Sequence, residues 1–266
     1  MSKGFTKHGS APGSAASEAA GLRWLREGSQ AVVEVFSLHD ATNTLTIESV
    51  EPARPTRDAA LRAGRELAAI HAAGAPAFGA PPTGWEGPNF IGRLEQDCVP
   101  ADRWAEFYVN QRVLPFARSA HAVGNLDAHG LGEVERACDA LLAEDEDAQL
   151  ARIHGDLWAG NLLFSPEGPR FIDPAAHGGH PLTDIAMLEL FGAPYFDAIV
   201  DGYLGAGGTL GSGWRARIPV HQLHPLAVHA TTHGPSCGSA LVRAALDTLD
   251  TLDALGPLGT GAGKSS

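Results

Sequence analysis

The 266-residue chain is poor in cysteine, in positive charge and in long apolar runs. Its three cysteines, Cys98, Cys138 and Cys237, lie far apart and form no CxxC pair. That argues against a disulfide scaffold or a zinc ribbon and for reduced thiols in a cytoplasmic protein. The first residues lack the apolar run of a signal peptide. No segment approaches the roughly 20 apolar residues that span a bilayer. Lys and Arg number 19 against 31 Asp and Glu, a net charge of -12. Such a surface repels nucleic acid and anionic membranes and suits a cationic substrate. There is no internal repeat. The glycine burst at 205–213 follows no strand, so it reads as a surface loop and not as a dinucleotide loop.

What is present supports a sizeable core: 44% of residues are hydrophobic, and the length suits one large domain or two small lobes around a cleft. Residues 17–26 read as a helix. Residues 31–38 (AVVEVFSL) and 44–50 (TLTIESV) alternate and are β-branched, as paired strands are. Two prolines in 51–55 break the pattern and mark a candidate hinge. Beyond it the chain is mainly helical, at 57–72, 101–120, 132–142, 183–191, 196–204 and 241–255. The acidic run 144–147 reads as a solvated loop. Three short apolar runs, 150–154, 162–164 and 170–173, read as strands separated by turns. The expected class is α+β: a small β-containing lobe at 1–50, a larger helical lobe at 51–255, and a flexible tail at 256–266.

The chemistry concentrates in His154–Asn161, HGDLWAGN, with Asp173 downstream. Phosphoryl transfer needs a carboxylate at the acceptor hydroxyl, plus an amide oxygen and a second carboxylate to hold magnesium on the nucleotide phosphates. Asp156, Asn161 and Asp173 supply these groups in that order. Asp156 is the candidate catalytic base. Asn161 and Asp173 are the candidate ligands, being the oxygen donors a hard cation prefers. Asp and Asn also form ordinary turns, but the full spacing, with His before and Asp-Pro after, favours the kinase reading.

HGDLWAGN, FIDPAAHGGH and TDIAMLELFG together resemble the fructosamine kinase (ketosamine-3-kinase) family, which is similar in fold to aminoglycoside phosphotransferases and, more distantly, to protein kinases. Trp158 is the discriminating residue. EAAGL at 18–22, GRELAAIH at 64–71, NFIG at 89–92, 104–108 and VHQLHPLAVH at 220–229 extend the likeness from about residue 5 to about 250. The resemblance implies a protein-kinase-like, two-lobed fold and an ATP- and Mg2+-dependent kinase. The implied acceptor is a sugar hydroxyl of a ketoamine or glycated lysine, a deglycation role. It further implies that Lys7 contacts nucleotide phosphates with Glu18 as its ion-pair partner, and that the backbone from Glu48 to Val50 meets adenine. Trp158 would shape the sugar pocket, Asn89 and Gln96 would approach the substrate, and Asp184 would steady the catalytic loop. A monomer or weak dimer is expected.

The sequence also departs from that family. Six residues precede Lys7, where members carry two strands and a glycine-containing loop over the phosphates. The expectations are a shortened or misassigned start, weak nucleotide binding, or a catalytically impaired, pseudokinase-like binding module. His221 replaces a tyrosine, Thr183 an acidic residue, and 231–238 has diverged, all of which bear on acceptor choice. An aminoglycoside or another small alcohol is an alternative acceptor. Histidine pairs at 177/180, 221/224 and 229/233 raise a zinc reading, but none carries the Glu of HExxH, so packing or surface histidines are expected.

Overall fold

A computed structural model describes residues 3–144 and 148–255. The acidic run falls mostly at 145–147, and that part of it, like the expected tail at 256–266, lies outside the described residues. In chain order the elements are β1 (Gly4–His8), α1 (Ser14–Arg26), β2 (Val35–His39), β3 (Thr44–Glu48), α2 (Arg57–Ala72), β4 (Asn89–Ile91), β5 (Leu94–Gln96) and α3 (Trp104–Phe107). A π-helical segment, Tyr108–Val113, follows, then α4 (Leu114–Ala122), α5 (Ala128–Ala143), β6 (Ala151–Ile153), β7 (Leu162–Ser165), β8 (Gly168–Phe171) and β9 (His177–Gly179). The described residues end with α6 (Leu182–Leu190), α7 (Phe196–Gly205), α8 (Ile218–His233) and α9 (Pro235–Leu255).

These elements form two compact units that alternate along the chain, 3–107 with 148–214, and 108–144 with 215–255. In the first, β3 is the centre of an antiparallel sheet ordered β1-β3-β2, because its Leu45 and Ile47 alternate inward and are buried. The strand expected at 31–38 starts later, at Val35, and has a register break between Val35 and Ser37. Residues 31–33 pair elsewhere: Val33 N–H donates to Phe171 O at 3.1 Å and Phe171 N–H to Ala31 O at 2.9 Å. Helix α1 buries Ala15, Ala19, Leu22 and Leu25, one face at helical spacing. After the prolines, Thr56 caps α2, its hydroxyl accepting from Ala59 N–H at 3.2 Å. Helices α2 and α7 cross at two glycines. A Cβ on Gly64 would stand 1.9 Å from Ile199 O, and one on Gly202 2.0 Å from Leu61 O. Short hairpins β4–β5 and β7–β8 and the pair β6–β9 complete the unit.

The second unit packs α5 on α9, α4 on α8 and α8 on α9. Asp127 caps α5, accepting from Gly130 N–H at 2.7 Å. One helix was expected over 101–120; α3, the π segment and α4 stand there instead. Pro115 has no N–H to give the Gln111 carbonyl, and Arg112 Nη1 donates to that carbonyl at 3.1 Å. Within this unit the Tyr108 hydroxyl enters the hydrogen-bond ladder of α8. It donates to Val220 O at 2.9 Å and accepts from His224 N–H at 3.2 Å. One residue on, Pro225 lies inside the helix and has no N–H to give the ladder.

Candidate active site

The first unit brings the HGDLWAGN turn, Asp173, Lys7 and Glu18 together. Strand β6 ends at Ile153 and delivers His154 into a turn. Gly155 has φ +79°, and a Cβ there would lie 2.3 Å from Ala175 O, so only glycine serves. Asp184, near the start of α6 and wholly buried, holds the start of the turn. Its Oδ2 accepts from His154 N–H at 2.8 Å and its Oδ1 from Gly155 N–H at 3.0 Å. His71 Nε2 donates to Asp184 Oδ2 at 3.0 Å, and Tyr203 O–H to His71 Nδ1 at 2.9 Å. One neutral imidazole tautomer satisfies both bonds. Burial alone would raise the Asp184 carboxyl, but these donors and the facing imidazoles hold it below its usual range.

His154 is equally specific. Its Nε2 donates to Ile172 O at 2.9 Å, while Nδ1 accepts from Asp156 N–H at 3.3 Å. A protonated ring would aim a donor at a donor. Burial depresses its pKa, against the pull of the nearby carboxylates.

The far end of the turn is tied through Asn161. Its Nδ2 donates to Asp156 O at 2.8 Å and lies 3.3 Å from Asp156 Oδ2 and 3.4 Å from Asp173 O. With the amide nitrogen facing the turn, the amide oxygen is the atom left for a cation. Asp173 follows β8 with φ +54°, a left-handed conformation that Asp tolerates better than most residues. Desolvation, aided by the charges of Asp173 and Asp184, pushes the Asp156 carboxyl up to about 7; the Asn161 bond opposes this. Lys7, on β1, pairs with Glu18 of α1 at 2.8 Å and with Asp173. Burial would lower its pKa, but the two carboxylates outweigh burial and raise it. Burial drives Glu18 up to about 7, with Lys7 pulling the other way.

The remaining sequence candidates take varied places. Trp158 is 43% exposed on the same turn, edge-on to Phe191 at 6.4 Å between ring centres. Asn89 and Gln96 face each other across β4–β5 and are buried. Gln96 Nε2 donates to Asn89 Oδ1 at 2.7 Å, and Asn89 Nδ2 approaches Ala176 O at 3.4 Å. They therefore tie the hairpin to the segment that follows Asp173. Glu48 N–H is spent on Glu34 O and Ser49 N–H on Lys3 O, both at 2.8 Å, so neither of these amides is free for a ligand edge. His71, Tyr203 and Gly155 acquire their roles only in three dimensions.

A divalent cation fits this donor set. Among the described residues no group of three or more His, Cys, Asp or Glu could hold a metal by itself. The residues that fit are the Asn161 amide oxygen and the Asp173 carboxylate, and such sites complete their shell with substrate phosphates and water.

The fructosamine kinase family model matches residues 7–250. The chain belongs to the fructosamine kinase family. Its class is therefore that of an ATP-dependent phosphotransferase. A curated Enterococcus faecium protein designated a probable ketoamine kinase is 31% identical over 199 residues, covering 73% of this chain and 68% of that one. A Synechocystis protein of the same designation is 32% identical, over 71% of this chain and 62% of its own length. Curated relatives thus extend well beyond the part this chain spans. Among solved structures, a Thermobifida fusca protein assigned as a fructosamine-3-kinase superposes with TM-score 0.81 at 44% identity, covering 88% of this chain and 80% of that one. The protein-kinase-like fold is shared more widely. The choline kinase of Streptococcus pneumoniae gives TM-score 0.60 at 14% identity, over 95% of this chain and 86% of its own.

Proposed function

We propose that this fructosamine kinase relative transfers the γ-phosphoryl group of ATP to a sugar hydroxyl of a ketoamine, either a glycated small amine or a glycated lysine. The observation that carries the reading is the Asn161 amide, which ties Asp156 and Asp173 into one turn. In this reading residues 1–50 form the nucleotide-binding lobe and 51–255 the catalytic lobe, and the protein works in the cytoplasm. Asp156 orients the acceptor hydroxyl and takes its proton as the oxygen bonds to phosphorus. The bond from that phosphorus to the bridging oxygen breaks, and ADP leaves with the electron pair. The Asn161 amide oxygen and the Asp173 carboxylate would hold Mg2+, whose contribution is to neutralise charge on the phosphates. Lys7, steadied by Glu18, contacts those phosphates; the backbone at Glu48–Val50 receives adenine. Trp158 forms a wall of the acceptor site, and Asn89 and Gln96 brace it.

A coupled ADP-release assay with a fructosamine and with ribuloselysine tests the reading. Turnover that Asp156→Asn abolishes is expected. The reading fails if ADP release is the same with and without ketoamine, or if Asp156→Asn retains it. A thermal shift with ATP and magnesium separates binding from catalysis: a ligand at 100 times its Kd stabilises by about 2.7 kcal/mol. Such a shift without turnover favours a non-catalytic binding module. Turnover of an aminoglycoside in place of a ketoamine would move the acceptor, not the chemistry.

A further inference from the structure

Gly160 sits inside the catalytic turn, and its backbone gives no reason for glycine. It is absent from the residues with positive φ, so an alanine would adopt its conformation without strain. What a side chain would meet is the indole of Trp158. A Cβ on Gly160 would lie 2.2 Å from Cη2, 2.4 Å from Cζ2 and 2.6 Å from Cζ3 of that ring. The indole therefore lies folded over Gly160, with the Phe191 ring set against it in a T-shaped contact. Phe191 caps the helix α6 that carries Asp184. The same helix thus holds the start of the turn through a carboxylate and borders its aromatic ring through a phenyl group. Trp158 still leaves 43% of its surface open. The turn that presents this ring also carries Asp156, whose backbone carbonyl accepts from Trp158 N–H at 3.1 Å.

We propose that Gly160 is a positioning residue for the acceptor: by lacking a side chain it lets the Trp158 indole fold onto the catalytic turn and present an aromatic face beside Asp156. The face would take the C–H side of a sugar or an attached ammonium group, both of which stack on indole. This rests on the reading of Trp158 as a wall of the acceptor site. The obstructed atoms belong to a rotatable side chain and not to the backbone, so Gly160→Ala moves the ring and leaves the fold intact.

The test combines two readouts. Acrylamide quenching of Trp158, taken as the difference between the parent and Trp158→Phe, reports ring placement without any turnover. It should change in the Gly160→Ala background, and an unchanged difference overturns the steric claim. In steady-state kinetics with a ketoamine, Gly160→Ala should raise the acceptor KM by about tenfold, with the KM for ATP and the melting temperature held. The same substitution in a Trp158→Ala background should add nothing. An equal effect with and without the indole, or a matched loss in the KM for ATP, overturns the proposal by making Gly160 a backbone element of the turn. If the parent turns over no ketoamine while quenching responds as expected, the acceptor reading has failed and the ring placement stands.

Discussion

At the scale of single residues, the buried Asp184 is the most exposed to failure. It accepts from two backbone amides and from His71, and no solvent can replace them. Asp184→Asn offers an N–H to a backbone N–H and should cost about 3 kcal/mol, read as a lowered denaturant midpoint. His154 sets a pH limit. Its folded pKa lies below 6.5, so below that value the unfolded chain binds a proton that the folded chain refuses. This contribution to stability should therefore be lost as pH drops through about 6.5, opposite in sign to that of the raised Asp156 and Glu18 carboxyls, and it is read as the difference between the parent and His154→Gln in urea unfolding between pH 7.5 and 5. To act as the proposed base, the Asp156 carboxyl, pushed up to about 7, must be ionised. In the proposed role the acceptor kcat/KM should therefore rise with pH through about 7. Asp156→Asn should lower kcat by at least about 100-fold. The sequence showed Asp156, Asn161 and Asp173 because turn chemistry is local. It hid His71, whose partners Asp184 and Tyr203 lie 113 and 132 positions away, and Gly160, whose importance depends on a side-chain rotamer.

Among elements, long amphipathic helices were legible, and so were β6, β7 and β8 from the apolar runs 150–154, 162–164 and 170–173, whereas other short strands were not. The expectation for α2, 57–72, matches its observed bounds, because a proline-rich break, a Thr cap and a regular apolar face all mark it. β4, β5 and β9 span three residues each, too few for alternation to register. β1 is largely exposed and so lacks a buried face to announce it. The expected helix over 101–120 breaks because apolar spacing does not report what Pro115 withholds from Gln111. The crossing of α2 and α7 yields a prediction proper to elements. Gly64→Ala gains helix propensity, about 1 kcal/mol, yet sets a methyl 1.9 Å from a backbone carbonyl. Over-packing should prevail, with a net loss of about 2 kcal/mol and a lower melting temperature. Because His71 and Tyr203 sit on the same two helices, the variant should also weaken the support of the catalytic turn.

For the whole molecule, the charge of -12 predicts opposite salt responses for the two proposed substrates. MgATP is an anion approaching an acidic protein, whereas an amine-bearing ketoamine is attracted to it. Raising ionic strength from about 20 to 150 mM should raise kcat/KM for MgATP and lower it for a cationic ketoamine; equal responses would show that the net field does not reach the site. The α+β class followed from periodicity and the protein-kinase-like fold from the family resemblance, whereas the partition into two units interleaved along the chain depends on long-range packing that no window of sequence contains. One consequence of that packing concerns exchange with solvent. The His224 amide donates to the Tyr108 hydroxyl, which reaches α8 from the π segment. Its deuterium uptake therefore times the departure of a tyrosine, making a single amide in the middle of α8 a clock for the π segment 108–113.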